Sequence, residues 1–352
     1  QKMLLLDGAK TSIHVSAPRS KAVIFQPAEQ ALYSVRIEGS GIEVFSRAGI
    51  SLGADTTLHF EVVRRPIAVE AGGDIAAAMK RAEPGDIVQL SAGTYADQVV
   101  ELREGVMLRG VDSSRTILMR SFLIASRIGG TAVENLTLKN SASDTTAAIS
   151  LFEAELVLQN CRIEASQTFC AIEIAGGNAR VRIEQSAIEG NEGIGVWVKD
   201  GGQVAMHHNI IRDNGATGLV IESGGAGEIV DNDFAQNAAR TGLRQVEISG
   251  AGSDPIFRNN IIRGRGLRVW AGASGQFIGN TIEEEVKGVA IEIGGSETNP
   301  LVQDNTVRGS IRVSERAQGQ LIGNIIEGKQ NGIEISGAGT NTIIRDNILR
   351  CE

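Results

Sequence analysis

Between Gln203 and Arg350 one short pattern returns seven times: an asparagine, then an aliphatic residue or phenylalanine two positions later. The copies are Asn209-Ile210-Ile211, Asn232-Asp233-Phe234, Asn260-Ile261-Ile262, Asn280-Thr281-Ile282, Asn305-Thr306-Val307, Asn324-Ile325-Ile326 and Asn347-Ile348-Leu349. Successive asparagines stand 23, 28, 20, 25, 19 and 23 residues apart. A Gly-aliphatic pair follows most copies, at Gly218-Leu219, Gly242-Leu243, Gly266-Leu267, Gly288-Val289 and Gly332-Ile333. A period of twenty-odd residues, filled with alternating strands and no helical stretch, predicts a solenoid of stacked β-coils.

Each coil of such a stack buries itself only on its neighbours, so 352 residues can form one long solenoid. Gly 43 against Pro 6 suits a chain of many tight turns. At the bend the strand ladder lapses. An Asn side chain there can bond the orphaned backbone, tolerate the left-handed conformation and stack on the next Asn amide. We therefore expect Asn232, Asn260, Asn280, Asn305 and Asn324 to lie buried at one bend. The pattern loosens upstream, at Asn135-Leu136-Thr137-Leu138 and Asn160-Cys161-Arg162-Ile163, and Ser186 replaces Asn. About ten to twelve coils are expected, a rod of roughly 50 Å at the usual strand spacing.

Two charge rows accompany the asparagines. Three residues after each repeat Asn stand Arg212, Ala235, Arg263, Glu283, Arg308, Glu327 and Arg350. On a later strand, aligned by their Glu-x-Gly tails, stand Glu222, Glu247, Arg268, Glu292, Arg312 and Glu334. From Arg263 onward both rows change sign at every coil. Opposite charges across neighbouring strands contribute about 0.2–1 kcal/mol per pair, and like charges cost a similar amount. A slip by one coil would set like against like, so the rows are expected to fix coil register.

Residues 1–66 lack the repeat. They read as a small all-β module, with strands at 3–6, 11–15, 22–25, 33–37, 42–45 and 58–63 separated by turn residues. A helix follows at about 73–83, with Asp74 able to cap it and Ile75, Ala78, Met79 and Ala82 on one stripe. It is expected to cover the open end of the first coil. Then come Pro84-Gly85-Asp86, the alternating strand Ile87-Val88-Gln89-Leu90, Gly93-Thr94-Tyr95 and a further strand. This opening, with Val106–Gly110 and the Asn repeats, resembles the right-handed parallel β-helix proteins of the pectate-lyase-like superfamily, over roughly residues 72–350. The resemblance implies an all-β, right-handed parallel β-helix over 67–352 with an N-terminal capping helix, preceded by the β module. It leaves activity open, because that superfamily spans lyases, esterases, hydrolases, epimerases, adhesins and scaffolds.

Composition narrows the partners. A net charge of -8 without a basic block excludes a nucleic-acid surface. No apolar run approaches the length of a membrane span. Cys161, Cys170 and Cys351 show neither disulfide nor zinc spacing and read as small core or turn residues. The native N-terminus and the compartment are not legible.

Enzymes of the resembled superfamily that act on acidic polysaccharides need clustered carboxylates, often with Ca²⁺, beside a cationic base. The best such cluster here is His207-His208 with Asp231 and Asp233, and Asp213 beyond. His208 and Asp231 precede consecutive repeat asparagines and should be neighbours, an acid/base geometry. Asp254-Pro255 lacks the His-Asp that an alginate-type epimerase would show next. Trp197 and Trp270 are expected on the Glu/Arg ladder face, Trp197 between Glu173 and Glu222. We expect a non-catalytic binding or scaffolding module that recognises protein or glycan. Its contact face would carry Trp197, Glu222, Glu247, Arg268, Glu292, Arg312 and Glu334, with no metal and no cofactor. The alternative is a polysaccharide lyase, epimerase or hydrolase, for which alone Ca²⁺ is expected. The chain stops just after Arg350 with no capping helix, so an end-to-end homodimer is a further expectation.

Overall fold

The computed structural model describes residues 66–351, apart from 140, 142–146, 239–242, 285–287 and 329–330, together with four short strands nearer the N-terminus. Those four form two antiparallel pairs, Met3–Leu6 with Ala9–Ser12 and Lys21–Ile24 with Thr57–Phe60. The strands expected at 33–37 and 42–45 lie outside the described residues.

From Ile67 on, the chain winds into three parallel sheets of twelve, eleven and thirteen strands, which makes about twelve coils. A typical coil runs from Gln203–His207 in sheet III, round Asn209, to Ile210–Arg212 in sheet I. It continues past Asn214 to Leu219–Ile221 in sheet II, and returns to sheet III at Ala226–Val230. Each strand hydrogen-bonds to its counterpart one coil away, so all rungs are long-range contacts. Inward residues such as Ile211, Ile221 and Ile229 are fully buried, while their neighbours face out. That is the period-2 alternation of a strand wall around a narrow core.

The cap helix, α1 (Ile75–Arg81), starts where Asp74 accepts the Ala77 N–H at 2.8 Å. Its stripe of Ile75, Ala78, Met79 and Ala82 is buried. The Ile75 N–H donates to the Gln98 side chain at 3.1 Å, which seats the helix beside Val99–Glu101. At the other end the last coil has no neighbour among the described residues, and Ile344 and Leu349 stand exposed in rows that are buried in every preceding coil.

The repeat asparagines form the expected ladder, and all but the last are buried. From Asn232 on, each Oδ1 accepts both the backbone N–H and the Nδ2 of the Asn one coil earlier, as Asn260 does from Asn232 at 2.9 and 3.0 Å. Each Nδ2 also donates to a carbonyl three residues before that earlier Asn, as Asn260 does to Ile229 at 2.7 Å. The left-handed conformation falls one residue sooner than expected. It belongs to the residue before the ladder position: Asn135, Asn160, Gln185, His208, Asp231, Asn259, Asp304 and Asp346, with φ from 50° to 57°, and to Gly279 and Gly323. Asn, Asp and Gly accept this conformation most readily. This also accounts for the loose upstream pattern, since Asn135 and Asn160 are corner residues and Leu136 and Cys161 hold the ladder position.

A second ladder went unread in the sequence. Asn191, Asn214 and Asn237 stack at the bend between sheets I and II, each Nδ2 donating to the next side-chain oxygen at 2.8 Å. Gln245, just before the next strand of the same coil, closes it by reaching back to Asn237. Cys161 and Cys170 are buried in the core, and burial pushes both thiols up to about 12. The side chain of Cys351 lies outside the described residues.

Candidate functional site

The sheet I charge row stands in the register that the sequence implied, extended upstream by Lys139, Glu164 and Glu189. Glu283 pairs with Arg308 and lies 3.9 Å from Arg263, and Glu327 joins Arg308 and Arg350 at 3.3 and 3.2 Å. Upstream the alternation fails, because Glu164 and Glu189 are direct neighbours. Arg162, from the adjacent row, joins both, at 2.5 Å to Glu164 and 2.7 Å to Glu189. Burial would raise the Glu164 carboxyl, but the hydrogen bonds from Lys139 and Arg162 outweigh it and hold the group low.

These pairs make a first prediction. Glu283→Arg should destabilise the stack by roughly 1–2 kcal/mol at low salt, because two attractions become two repulsions. The loss should shrink in high salt, and Glu283→Gln should cost less than half as much. Equal urea midpoints for Glu283→Arg and the parent would show that the row does not hold register.

The sheet II row requires one correction. It runs Ser150, Glu173, Trp197, Val220, Glu247, Arg268, Glu292, Arg312, Glu334. Val220 holds the place assigned to Glu222. Glu222 sits just past the short strand Leu219–Ile221, where it accepts the Trp197 indole N–H at 2.9 Å. Beyond Glu247 the signs alternate as expected, with Arg312 on Glu334 at 2.9 Å and Arg268 at 3.6 Å from Glu292. Arg244 adds a cation to Glu292 at 2.7 Å. Trp270 lies two residues from Arg268 on the same face. Its indole N–H donates to Glu247 at 2.9 Å, and the Arg268 guanidinium lies 4.4 Å over its ring. Both tryptophans are half-buried.

Of His207, His208, Asp231 and Asp233, only one expected pair comes together. His208 and Asp231 are indeed neighbours, 4.0 Å apart, but both project from the exposed corner between sheets III and I. Their left-handed backbone is a turn requirement that explains why polar residues stand there. Asp233 belongs to sheet I and is taken by Arg263 at 2.6 Å. Asp213 is a left-handed corner residue at the next bend. Only His207 faces outward from sheet III, in register with Glu184.

That sheet carries a feature the sequence reading missed, a groove of about 750 Å³ crossing six successive strands. Its floor is low because small residues, Ala132, Ala205 and Ala226, fall at outward positions. Gly227 brings the backbone so close to Val204 that an added Cβ would lie 2.1 Å from its carbonyl oxygen. Glu155 rises from the second strand, Arg180 and Arg182 from the third and Glu228 from the fifth, and Asp254 stands just before the sixth. Arg180 is oriented by two backbone carbonyls, of Gly177 and Ala179, each at 2.8 Å. Asp254-Pro255 therefore borders the groove, followed by Ile256 and Phe257. The signal for this groove was the run of Ala and Gly in sheet III strands, readable only once coil lengths align them. Among the described residues no three His, Cys, Asp or Glu side chains converge to hold a metal ion, and no helix is long and apolar enough to cross a membrane.

Three parallel sheets, an Asn ladder and a helix beside the first coil define a parallel β-helix. The sequence matches the right-handed β-helix region over residues 120–262 and 234–349, and the chain belongs to that family. No curated protein matches it. Among solved structures it is similar to the A-module of the Azotobacter vinelandii mannuronan C-5 epimerase AlgE4, with a TM-score of 0.60 and 14% identity, over 79% of this chain and 92% of that one. It is also similar to the catalytic unit of a GH87 alpha-1,3-glucanase from Streptomyces thermodiastaticus, at TM-score 0.57 and 12% identity, over 99% and 85%. A mutant of the PL6 family alginate lyase AlyGC matches at TM-score 0.57 and 14% identity, over 82% of this chain and 52% of that one.

Proposed function

We propose that this protein acts on a polysaccharide, held along the sheet III groove with its chain direction parallel to the stack axis. The observation that carries this reading is the groove itself. Six strands at ~4.8 Å spacing give it a length of about 24 Å, long and narrow rather than cup-shaped. Coils repeat the same outward positions at regular intervals, which suits a ligand that is itself a repeat. The carboxylates of Glu155, Glu228 and Asp254 can accept from sugar hydroxyls, and the guanidinia of Arg180 and Arg182 can donate to them. The similar structures, an epimerase, a lyase and a glucanase, all act on polysaccharides by their names, which supports the substrate class. His207, beside the groove, and the three carboxylates are the groups available for proton transfer. Ca²⁺ belongs to this reading only if the bound chain itself supplies carboxylates.

A second reading, non-catalytic glycan recognition, is favoured by the exposed corner position of His208 and Asp231 and by the engagement of Asp233 with Arg263. One experiment separates the two. A panel of neutral and acidic polysaccharides is run in affinity electrophoresis and assayed for new reducing ends or unsaturated products, with and without Ca²⁺. Binding with products supports the enzyme; binding without products supports recognition. Ala205→Phe, which fills the groove from an outward position, should weaken binding at least about tenfold. Unchanged retardation of that variant would sink the groove assignment.

A further inference from the structure

The outer face of sheet II changes character along the stack. From Glu247 onward it is the charge ladder. Upstream it carries exposed apolar and aromatic side chains, Ile124 and Phe152, and Phe169, in the bend just before the strand Cys170–Ala175, is 59% exposed. A ring this exposed is uncommon beside a well-formed wall, and the surroundings of Phe169 are ordered. It leans on Trp197, with ring centroids 5.2 Å apart and planes tilted by 60°. The Lys199 ammonium lies over the Trp197 ring at 3.8 Å and is held by Glu173 at 2.9 Å. Ser150 donates to Glu173 at 3.2 Å, and Glu222 anchors the indole N–H. Trp197 is thus clamped between Phe169 and Lys199, and it braces Phe169 as a rigid projecting platform.

We infer that Phe169, braced by Trp197, together with the Glu173, Lys199 and Glu222 side chains gathered about that indole, is a second glycan-binding site, for a neutral pyranoside ring, separate from the groove. The glycan as ligand class rests on the proposed function; the site itself rests on this cluster. A pyranoside presents an apolar C–H face and a rim of hydroxyls. The C–H face suits the negative face of an aromatic ring. The rim suits carboxylates, whose two oxygens offer about four acceptor positions, only some of which are used here. Two carboxylates stand against one ammonium, so an anionic sugar would meet net repulsion and a neutral one would not. The groove and the cluster lie on different sheets, so one long polymer bound at both would gain from its high local concentration at the second site.

The test uses saturation-transfer NMR on the full chain with two probes, a neutral gluco-oligosaccharide and a mannuronan oligosaccharide. The Ala205→Phe protein, its groove filled, should still show transfer to the neutral probe and much less to the anionic one. Adding Phe169→Ala should abolish that transfer, with at least a tenfold rise in Kd. Phe169 is exposed, so the thermal midpoint should not move. Phe169→Tyr, which keeps the ring, should retain binding. Transfer that survives in the double variant, or that is absent already in Ala205→Phe, overturns the inference while leaving the groove untouched. Wild-type polymer binding that Ala205→Phe does not weaken overturns the groove and leaves the cluster. A cluster that prefers the anionic probe, or that captures a protein but no sugar, also refutes it.

Discussion

Asn260→Ala should destabilise the coil stack by roughly 3–5 kcal/mol, among the largest effects of any single truncation here. The side chain is fully buried and makes four hydrogen bonds. Its loss strands the Asn232 N–H, leaves Asn232 Nδ2 with only the Met206 and Val230 carbonyls, and removes one donor each from the Ile229 carbonyl and Asn280 Oδ1. Each buried polar group left without a partner costs about 1–3 kcal/mol. Asn260→Asp keeps the shape but turns a donor into an acceptor facing two other acceptors, so it should be no better near neutral pH. Asn347→Ala is the comparison, since the last rung is half-exposed and water can replace its partners. It should cost about 1 kcal/mol or less. Because coils stabilise one another only through neighbours, loss at Asn260 should also let the coils on either side open locally. Urea denaturation gives the total, and amide exchange gives its spread. A loss below about 1 kcal/mol for Asn260→Ala would mean that water or a repacked bend replaces the ladder.

Gly266→Ala should be nearly as damaging, by roughly 2–4 kcal/mol. Gly266 opens the sheet II strand at φ 55°, and a Cβ there would stand 1.9 Å from the Ala290 carbonyl oxygen of the next coil. The penalty has two parts: left-handed strain of about 1 kcal/mol, and displacement of a backbone carbonyl that belongs to the neighbouring rung. Gly218 occupies the matching place two coils earlier, where an added Cβ would meet the Asn237 amide at 2.7 Å. At Gly218 and Gly266 the backbone of the next coil thus approaches too closely for an added Cβ. Gly272→Ala is the control. It also has positive φ, but its nearest neighbour lies 3.7 Å away, so only the strain should appear. Equal losses for the two would remove the steric half of the explanation.

What could be read in advance follows from chain spacing. The Asn ladder was legible because its members lie next to strands in sheet I, where each coil aligns on its own Asn. The sheet I charge row was legible for the same reason, three residues later. Sheet II was harder. The segment from Asn209 to Leu219 is longer than that from Asn260 to Leu267, so alignment from the Asn drifts before sheet II begins. Alignment from the Glu-x-Gly tails fails as well, because Glu222 lies in the turn after its strand whereas Glu247 lies within one. The second ladder was obscured because Gln245 fills its last rung from within the same coil. The groove stayed hidden because Ala132, Ala205 and Ala226 mean little singly; a depression exists only when they fall together on one face. His208 and Asp231 looked chemical because the left-handed corner favours polar residues or glycine, and the same demand explains the six other polar residues and two glycines of that row.

The sign alternation from Arg263 onward limits how this part of the chain can vary in length. Removing one coil would bring Arg263 against Arg308, or Glu283 against Glu327. Removing two adjacent coils would leave every remaining neighbour opposite in charge. Duplication obeys the same arithmetic. The C-terminal half therefore behaves as a string of two-coil units, and viable insertions, deletions or grafts should come in even numbers of coils.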